Sequence, residues 1–374
     1  MKKIRYIAVH PLNDFSGSPR VLADFCKSDE VQSQSLTIVT SASNGFLCSD
    51  LGEMKTIWYM IGSSQLLNML SFIFAQLQLF VVVICLILRS LCRGESVIVI
   101  NNTILCIGST VASRCLGVVT ICYLHELASS HSLEQKLTRK MSVKLIQKAA
   151  HEVVFVSHWL SKQYSMKENK LTVIPNGLRS DFEIQGKLEC TSKFRNKKIL
   201  FVGSLRSYKG VNELIKISWR LPDVPFIAVF NCSDKELFEF RKRFDVPENL
   251  CLLARDPTIE DKYREAFLVL NLSLPNLCIE GFALTILEGM SYGCPCVVPP
   301  VGGHLDYFED SVGLKVDARN THDIVNFIRT LLDNELLWRS CSSQALLIAE
   351  QYSSAIFQRR VNGFLHSAKN NYLT

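Results

Sequence analysis

The sequence predicts an α/β protein made of two doubly wound domains, each a parallel sheet covered by helices on both faces. Two observations carry the prediction. Short, continuous apolar runs rich in β-branched residues alternate with segments long enough for helices, which is the pattern of strands buried on both sides. These runs form two successive series, separated by a polar stretch without periodicity at residues 179–196. A length of 374 residues with 48% hydrophobic and 20% charged content supports a sizeable core and excludes a disordered chain.

The first series comprises residues 4–9, 36–40, 96–101, 118–123 and 152–156, and the second residues 198–202, 226–231, 250–253, 268–272 and 296–299. The expected organisation is an N-terminal domain over 1–178, a linker over 179–196, a second domain over 197–350 and a final segment over 351–374. Doubly wound sheets bind ligands at the carboxyl ends of their strands, so the site is expected in a cleft between two facing domains. The start of the chain reads as a first strand rather than a secretory segment, because its apolar run is short. The fourteen cysteines are spread through apolar runs and read as reduced and buried, in a cytoplasmic protein. Cys294 and Cys296 are too close and too isolated for a zinc site, and no metal is expected.

The net charge is only +6, too dilute for a nucleic-acid binder. It is unevenly placed: residues 1–180 hold 18 Lys and Arg against 11 Asp and Glu, and the remainder 23 against 24. Mean hydropathy is high at +0.17. No charge occurs between Lys55 and Arg89. As a helix, residues 66–88 would be about 34 Å long, enough for a hydrocarbon core of about 30 Å. Asn68, Ser71, Gln76 and Gln78 interrupt the segment and both flanks are basic, so a buried crossover helix or one lying on a membrane surface is favoured over a span. Lys136, Lys140, Lys144 and Lys148 recur every four residues beside an apolar stripe. Such a row is either a solvated helix face or, given the charge asymmetry, a contact with anionic lipid.

The strongest motif runs from Glu280 through Phe282, Ala283, Leu284 and Thr285 to Glu288, then Gly293, Pro295, and the pair Gly302 and Gly303. A helix starting near Phe282 after a strand end offers free backbone N–H groups, a seat for phosphate. Helical geometry would hold Glu280 and Glu288 about 12 Å apart, farther than the roughly 5 to 9.5 Å of paired glycosidase carboxylates. They are therefore expected to bind different parts of one extended ligand. A second element follows the first strand of domain two, where Gly203 allows close backbone approach and Arg206 and Lys209 can neutralise a diphosphate. No Walker loop and no G-x-G-x-x-G occurs, which disfavours a nicotinamide enzyme. In domain one, Gly17 follows the first strand, and His125, which can donate to an anion or hold a substrate hydroxyl, follows the fourth. His151 and His158 form no metal pattern.

Together these motifs resemble the retaining glycosyltransferases of family 4, which have the GT-B fold of two facing Rossmann-like domains. The resemblance covers nearly the whole chain. Glu280 and Glu288 match the family's E-x7-E, residues 293–297 its G-x-P-V, residues 302–306 its G-G-x-x-E with Asp306 for Glu, and Pro175, Asn176 and Gly177 its P-N-G. Residues 203–210 match its G-R-L-x-x-x-K-G, with Ser204 in place of the usual phosphate-binding Arg and Ala283 in place of a glycine. The resemblance implies that Glu288 binds the donor ribose, that Glu280 lies beside the transferred sugar, and that Phe282, Ala283, Leu284 and Thr285 hold the diphosphate with Lys209. It implies that Gly203, Ser204 and Arg206 line the donor site, Arg206 supplying the missing charge, that Gly17 closes over the diphosphate, and that His125 contacts the sugar. Residues after about 351 would form a helix returning to domain one. The implied catalytic set is Glu280, His125 and Lys209. The co-substrate is a nucleoside diphosphate sugar carrying UDP or GDP, with no other cofactor and no metal. The implied reaction transfers a hexosyl group to a saccharide acceptor, lipid-linked, in the making of lipopolysaccharide or another cell-surface polysaccharide on the inner face of the cytoplasmic membrane. A nucleotide-sugar epimerase on the same fold, or a non-catalytic sugar-nucleotide-binding scaffold suggested by Ser204, are the alternatives.

Overall fold

The computed structural model describes residues 3–373 except 63, 128–132, 167–169, 181, 183–189 and 257; the side chains of residues 133–138, 190 and 191 also lie outside the description. The chain divides into two compact units, one of residues 1–177 with 355–374, the other of residues 178–354. Both are parallel α/β sheets.

In the first unit, β1 (Ile4–Val9), β2 (Ser35–Ser41), β3 (Glu53–Ile57), β4 (Ser96–Asn101), β5 (Val119–Leu124), β6 (Glu152–Phe155) and β7 (Leu171–Val173) lie in the order β3-β2-β1-β4-β5-β6-β7, all parallel. The connections carry α1 (Gly17–Cys26), α2 (Asp29–Gln32), α3 (Gln65–Cys92), α4 (Ile107–Cys115), α5 (Leu133–Ala149) and α6 (His158–Ser161). The order reverses beside β1. Since crossovers in parallel sheets are right-handed, α1 covers one face, while α3, α4 and α5 cover the other. The last three lie side by side, α3 against α4 and α4 against α5. Gly108 permits the first contact: a Cβ there would sit 2.0 Å from the Gln76 carbonyl oxygen.

The second unit orders its strands β10-β9-β8-β11-β12-β13. Its elements are α7 (Cys190–Asn196), β8 (Ile199–Gly203), α8 (Val211–Arg220), β9 (Phe226–Phe230), α9 (Asp234–Arg241), β10 (Leu250–Leu253), α10 (Ile259–Glu265), β11 (Leu268–Leu270), α11 (Leu284–Ser291), β12 (Cys296–Val298), β13 (Gly313–Lys315), α12 (Thr321–Asp333) and α13 (Glu335–Glu350). Its core is aromatic: Trp338 stacks on Phe267 at 5.5 Å and donates its indole N–H to the Phe267 carbonyl at 2.8 Å. The final helix, α14 (Ser354–Tyr372), packs on the first unit, where Lys369 pairs with Glu30 at 2.7 Å and Tyr372 meets His151.

All ten apolar runs read from the sequence are strands. The strands that the pattern missed are β3, β7 and β13, and each is an edge strand with exposed or half-buried positions. An edge strand has one unpaired side and does not need a continuous apolar run. The cysteine expectation needs correction: Cys48, Cys85, Cys92, Cys115 and Cys251 are exposed. Apolar surroundings in sequence did not distinguish the inner from the outer face of a helix or edge strand. The described cysteines form no disulfide, and no metal-holding group of side chains occurs among the described residues.

Candidate active site

In the second unit the site is built at the carboxyl ends of β8 and β11, on either side of the reversal in strand order, where a doubly wound sheet leaves a crevice. β8 ends at Gly203, and a short 3-10 turn, Ser207–Lys209, leads into Gly210 at φ +78°. A Cβ on Gly210 would lie 2.2 Å from the Leu272 carbonyl oxygen, so glycine is required both by the dihedral and by the close approach. This approach delivers Lys209 to Glu280, with which it forms an ion pair. Ser273, just past β11, donates its hydroxyl to the same carboxylate at 3.0 Å. Burial opposes charge on Glu280, and Lys209 and Ser273 outweigh it, so the carboxyl stays below its ordinary range. Burial likewise works against charge on Lys209, and Glu280 overcomes it to raise the ammonium pKa. Both groups are ionised at neutral pH.

The backbone of Glu280 is also tied down. Its carbonyl accepts from Gly303 N–H at 2.8 Å, at the double glycine. The buried His304 anchors that turn with Nε2 2.8 Å from the Pro299 carbonyl, and burial lowers its pKa. The helix α11 begins later than the sequence suggested, at Leu284 rather than Phe282. Its N-cap, Ala283, is left-handed at φ 53°, and such a residue cannot continue a helix backwards. Glu280 therefore sits in the loop before α11, and helical rise does not set its distance from Glu288, correcting the 12 Å expectation. The Tyr307 hydroxyl lies 2.9 Å from the Phe282 carbonyl and 2.8 Å from that of Ala283, holding the strained residue in place. Ala283 has no side-chain oxygen to cap α11, which leaves the first-turn N–H groups at Leu284 and Thr285 for an anion. Further along the helix, Glu288 receives a hydrogen bond from the Tyr263 hydroxyl at 3.0 Å.

No ion pair joins Arg206 to Glu280 among the described residues. Ser204 and Arg206 line a cavity of about 520 Å³ with Asn231, Lys235 and Phe240, at the ends of β8 and β9. Lys209, not Arg206, is the cation that meets Glu280.

In the first unit, Gly17 opens α1 and is exposed, while His125 follows β5. Between them in the sheet, Asn102 follows β4 and is wholly buried. Its amide Nδ2 donates to the Ser18 carbonyl at 2.8 Å, which turns Oδ1 toward His125 Nε2, also at 2.8 Å. Nε2 must therefore carry the proton, leaving Nδ1 as an acceptor. Burial pushes the imidazole down to about 3, with a further contribution from His10. His125 is thus a neutral imidazole with Nδ1 as its acceptor nitrogen. Of the two roles expected of it, donating to an anion or holding a substrate hydroxyl, an acceptor Nδ1 suits the second. Tyr123 packs against its ring at a tilt, centroids 4.5 Å apart, and donates to the Ile174 carbonyl at 3.0 Å, while Arg20 donates to the Gly177 carbonyl at 3.2 Å, so the P-N-G segment is held by this unit.

Sequence reasoning missed Asn102, Tyr263, Ser273, His304 and Tyr307. The signal available for Asn102 and Ser273 was their position just beyond strand ends, and for His304 its place within the 302–306 motif; nothing local marked Tyr263 and Tyr307.

Residues 191–346, which contain the Lys209, Glu280 and Glu288 cluster, match the family model described as glycosyl transferases group 1. The chain carries a glycosyltransferase domain. Over 171 residues the protein is 28% identical to an uncharacterized glycosyltransferase of Haemophilus influenzae, covering 43% of this chain and 46% of that one. It is similar in structure to Anabaena HepE in complex with UDP-glucose, with TM-score 0.77 and 19% identity over 97% of this chain and 99% of that one. It is also similar to sucrose-phosphate synthase from Thermosynechococcus elongatus, with TM-score 0.76 and 13% identity over 98% and 99%. At those identities the likeness is one of fold, the two Rossmann-like parallel sheets of GT-B glycosyltransferases. The chain spans about half or less of the length of the curated relatives it matches.

Proposed function

We propose that the protein is a retaining glycosyltransferase of the family 4 group, moving a hexosyl unit from a nucleoside diphosphate sugar to a saccharide acceptor. The observation that carries this reading is the Lys209–Glu280 pair next to the uncapped start of α11, with Glu288 on the same helix. Lys209 and the first-turn N–H groups of α11 face the diphosphate and stabilise the charge it gains on leaving. Glu288, oriented by Tyr263, binds the ribose hydroxyls. Glu280 orients the transferred sugar, and His125 accepts from one of its hydroxyls. In the transfer, the bond from the anomeric carbon to the diphosphate oxygen breaks and the bond to the acceptor oxygen forms on the same face. The acceptor proton passes to the departing diphosphate. The positive partners in this reading are protein groups, and no metal is invoked.

The donor nucleotide is UDP or GDP; UDP-glucose bound to the similar HepE fold favours UDP. The acceptor is a polyprenyl-linked saccharide and the product a cell-surface polysaccharide, assembled with the protein peripheral to the inner face of the cytoplasmic membrane. The basic, apolar character of the first unit supports this location.

The test begins with a thermal-shift screen of UDP and GDP sugars, since the correct donor stabilises the fold by mass action. The stabilising donor is then supplied in labelled form with and without polyprenyl-linked saccharide. Acceptor-dependent transfer with retained anomeric configuration is expected. Acceptor-free isomerisation would instead identify an epimerase, and binding without turnover a scaffold.

A further inference from the structure

The helix α3 is apolar on two opposite faces. Ala75, Leu79, Val83 and Ile87 form a buried stripe spaced by four, packed on the sheet core of Ile7, Val9, Val97 and Val99, and Ser71 continues it as a buried position. Leu66, Leu70, Phe74, Leu77, Val81 and Leu88 form a second stripe, and all are exposed, Leu77 by 60%. At 100° per residue the two stripes are centred about 180° apart. Only 28% of the most apolar 18-residue window of the helix is buried. Soluble monomers rarely carry so long an apolar surface; over 28 residues it runs about 42 Å.

The helix is not free to leave the unit and span a bilayer. Besides the buried stripe, Ser71 accepts from Met60 N–H at 2.9 Å, and Gln78 holds both the N–H and the carbonyl of Trp58 at 3.0 Å. Crossing a membrane would expose the sheet core and discard these bonds.

Charge identifies what covers the outer face. Residues 54–149 hold nine Lys and Arg against three Asp and Glu, an excess equal to the +6 of the whole chain. On the helical layer formed by α3, α4 and α5, Arg89, Arg93, Arg114, Lys140, Lys144 and Lys148 are exposed. Of the three acidic residues, Glu95 is buried and paired with Arg5, and Glu126 is bonded to Thr103. A second copy of the chain on this face would bring two basic surfaces together. An anionic bilayer complements both features, as phosphates meet the lysine column and acyl chains meet the leucine stripe.

We infer that α3 lies in the plane of an anionic membrane, its outer stripe inserted below the headgroups, with the exposed lysines of α5 as a second contact on the same layer. This deepens the lipid-linked acceptor reading and rests on it for its purpose, while the surface itself is tested separately. The full chain is floated with vesicles of phosphatidylcholine alone and of phosphatidylcholine with phosphatidylglycerol, at low and high salt. Its mass is measured by light scattering, and its thermal shift with UDP and GDP is recorded. Flotation with the anionic vesicles only, weakened by salt, is expected. Each of Lys140→Gln, Lys144→Gln and Lys148→Gln should weaken partition about five-fold. The double variant L70D/L77D should lose flotation while keeping the nucleotide shift, which shows an intact fold. The inference is overturned by absence of flotation, by flotation unchanged in L70D/L77D, by release only with detergent, or by a dimer that L70D/L77D dissociates without any vesicle binding. Flotation without any nucleotide shift would overturn the donor reading and leave the membrane surface standing.

Discussion

The imidazole of His125 offers the sharpest test of the first unit, because its proton count can be titrated. Burial holds it down to about 3 and the neighbouring His10 down to about 4. In an unfolded chain both would titrate near an ordinary value of about 6.5. Below that pH the unfolded chain takes up protons that the folded unit refuses, so stability is fully present above about pH 6.5 and falls with pH toward the folded values. Integrating the linkage from about pH 7 to pH 5 gives a loss of about 2 kcal/mol for each histidine. In His125→Gln the amide nitrogen can still donate to Asn102, but no proton is taken up in that range. Its acid destabilisation should therefore be smaller than that of the wild type by about 2 kcal/mol. Urea unfolding read by hydrogen exchange in β4 and β5, at several pH values between about 7 and 5, measures the first unit separately. Equal losses in wild type and variant would refute the buried neutral histidine and the role derived from it.

Lys209→Met should strand the Glu280 carboxylate and cost about 2 kcal/mol at neutral pH, less in acid where Glu280 is protonated, as read by denaturant titration. Gly210→Ala should cost about 3 kcal/mol or prevent folding of the second unit, since its Cβ has no room beside Leu272; thermal unfolding of the purified variant checks this. Ala283→Gly should raise stability by about 0.5 kcal/mol, the relief of the left-handed dihedral exceeding the added chain entropy, with donor binding retained in calorimetry. Tyr263→Phe should weaken donor binding about five-fold by removing the hydroxyl that bonds to Glu288, with little change in turnover at saturating donor.

The parallel strands at the centre of each sheet were legible because burial on both faces demands uninterrupted apolar residues, as in β4 and β12. The edges β3, β7 and β13 were not, since one side of each is free of that demand. Within the site, Glu280, Glu288 and Lys209 stood out as charged residues at fixed spacing around glycines. The groups that orient two of them did not: Tyr263 lies 25 residues from Glu288, and Ser273 belongs to a different strand end from Lys209. Ala283 illustrates the limit in the other direction. Its departure from glycine was visible in the chain, but the left-handed dihedral that explains why glycine suits the position belongs to the folded loop.

Read alone, the chain determined its two α/β series, the uneven charge and the uncharged run before Arg89, because these follow from composition and from periodicity along one dimension. Three matters were decided only by tertiary structure. One is which face of α3 is covered, since its residues are apolar all round and only the packing of Ala75, Leu79 and Val83 on the sheet separates inside from outside. Another is the proton on His125, set by the direction in which Ser18 turns the Asn102 amide from more than eighty residues away. The last is the identity of the cation at Glu280: Arg206 and Lys209 are equivalent in charge and nearly adjacent in sequence. The turn forced by Gly210 against Leu272 sends Lys209 to the carboxylate, while Arg206 lines the cavity at the ends of β8 and β9.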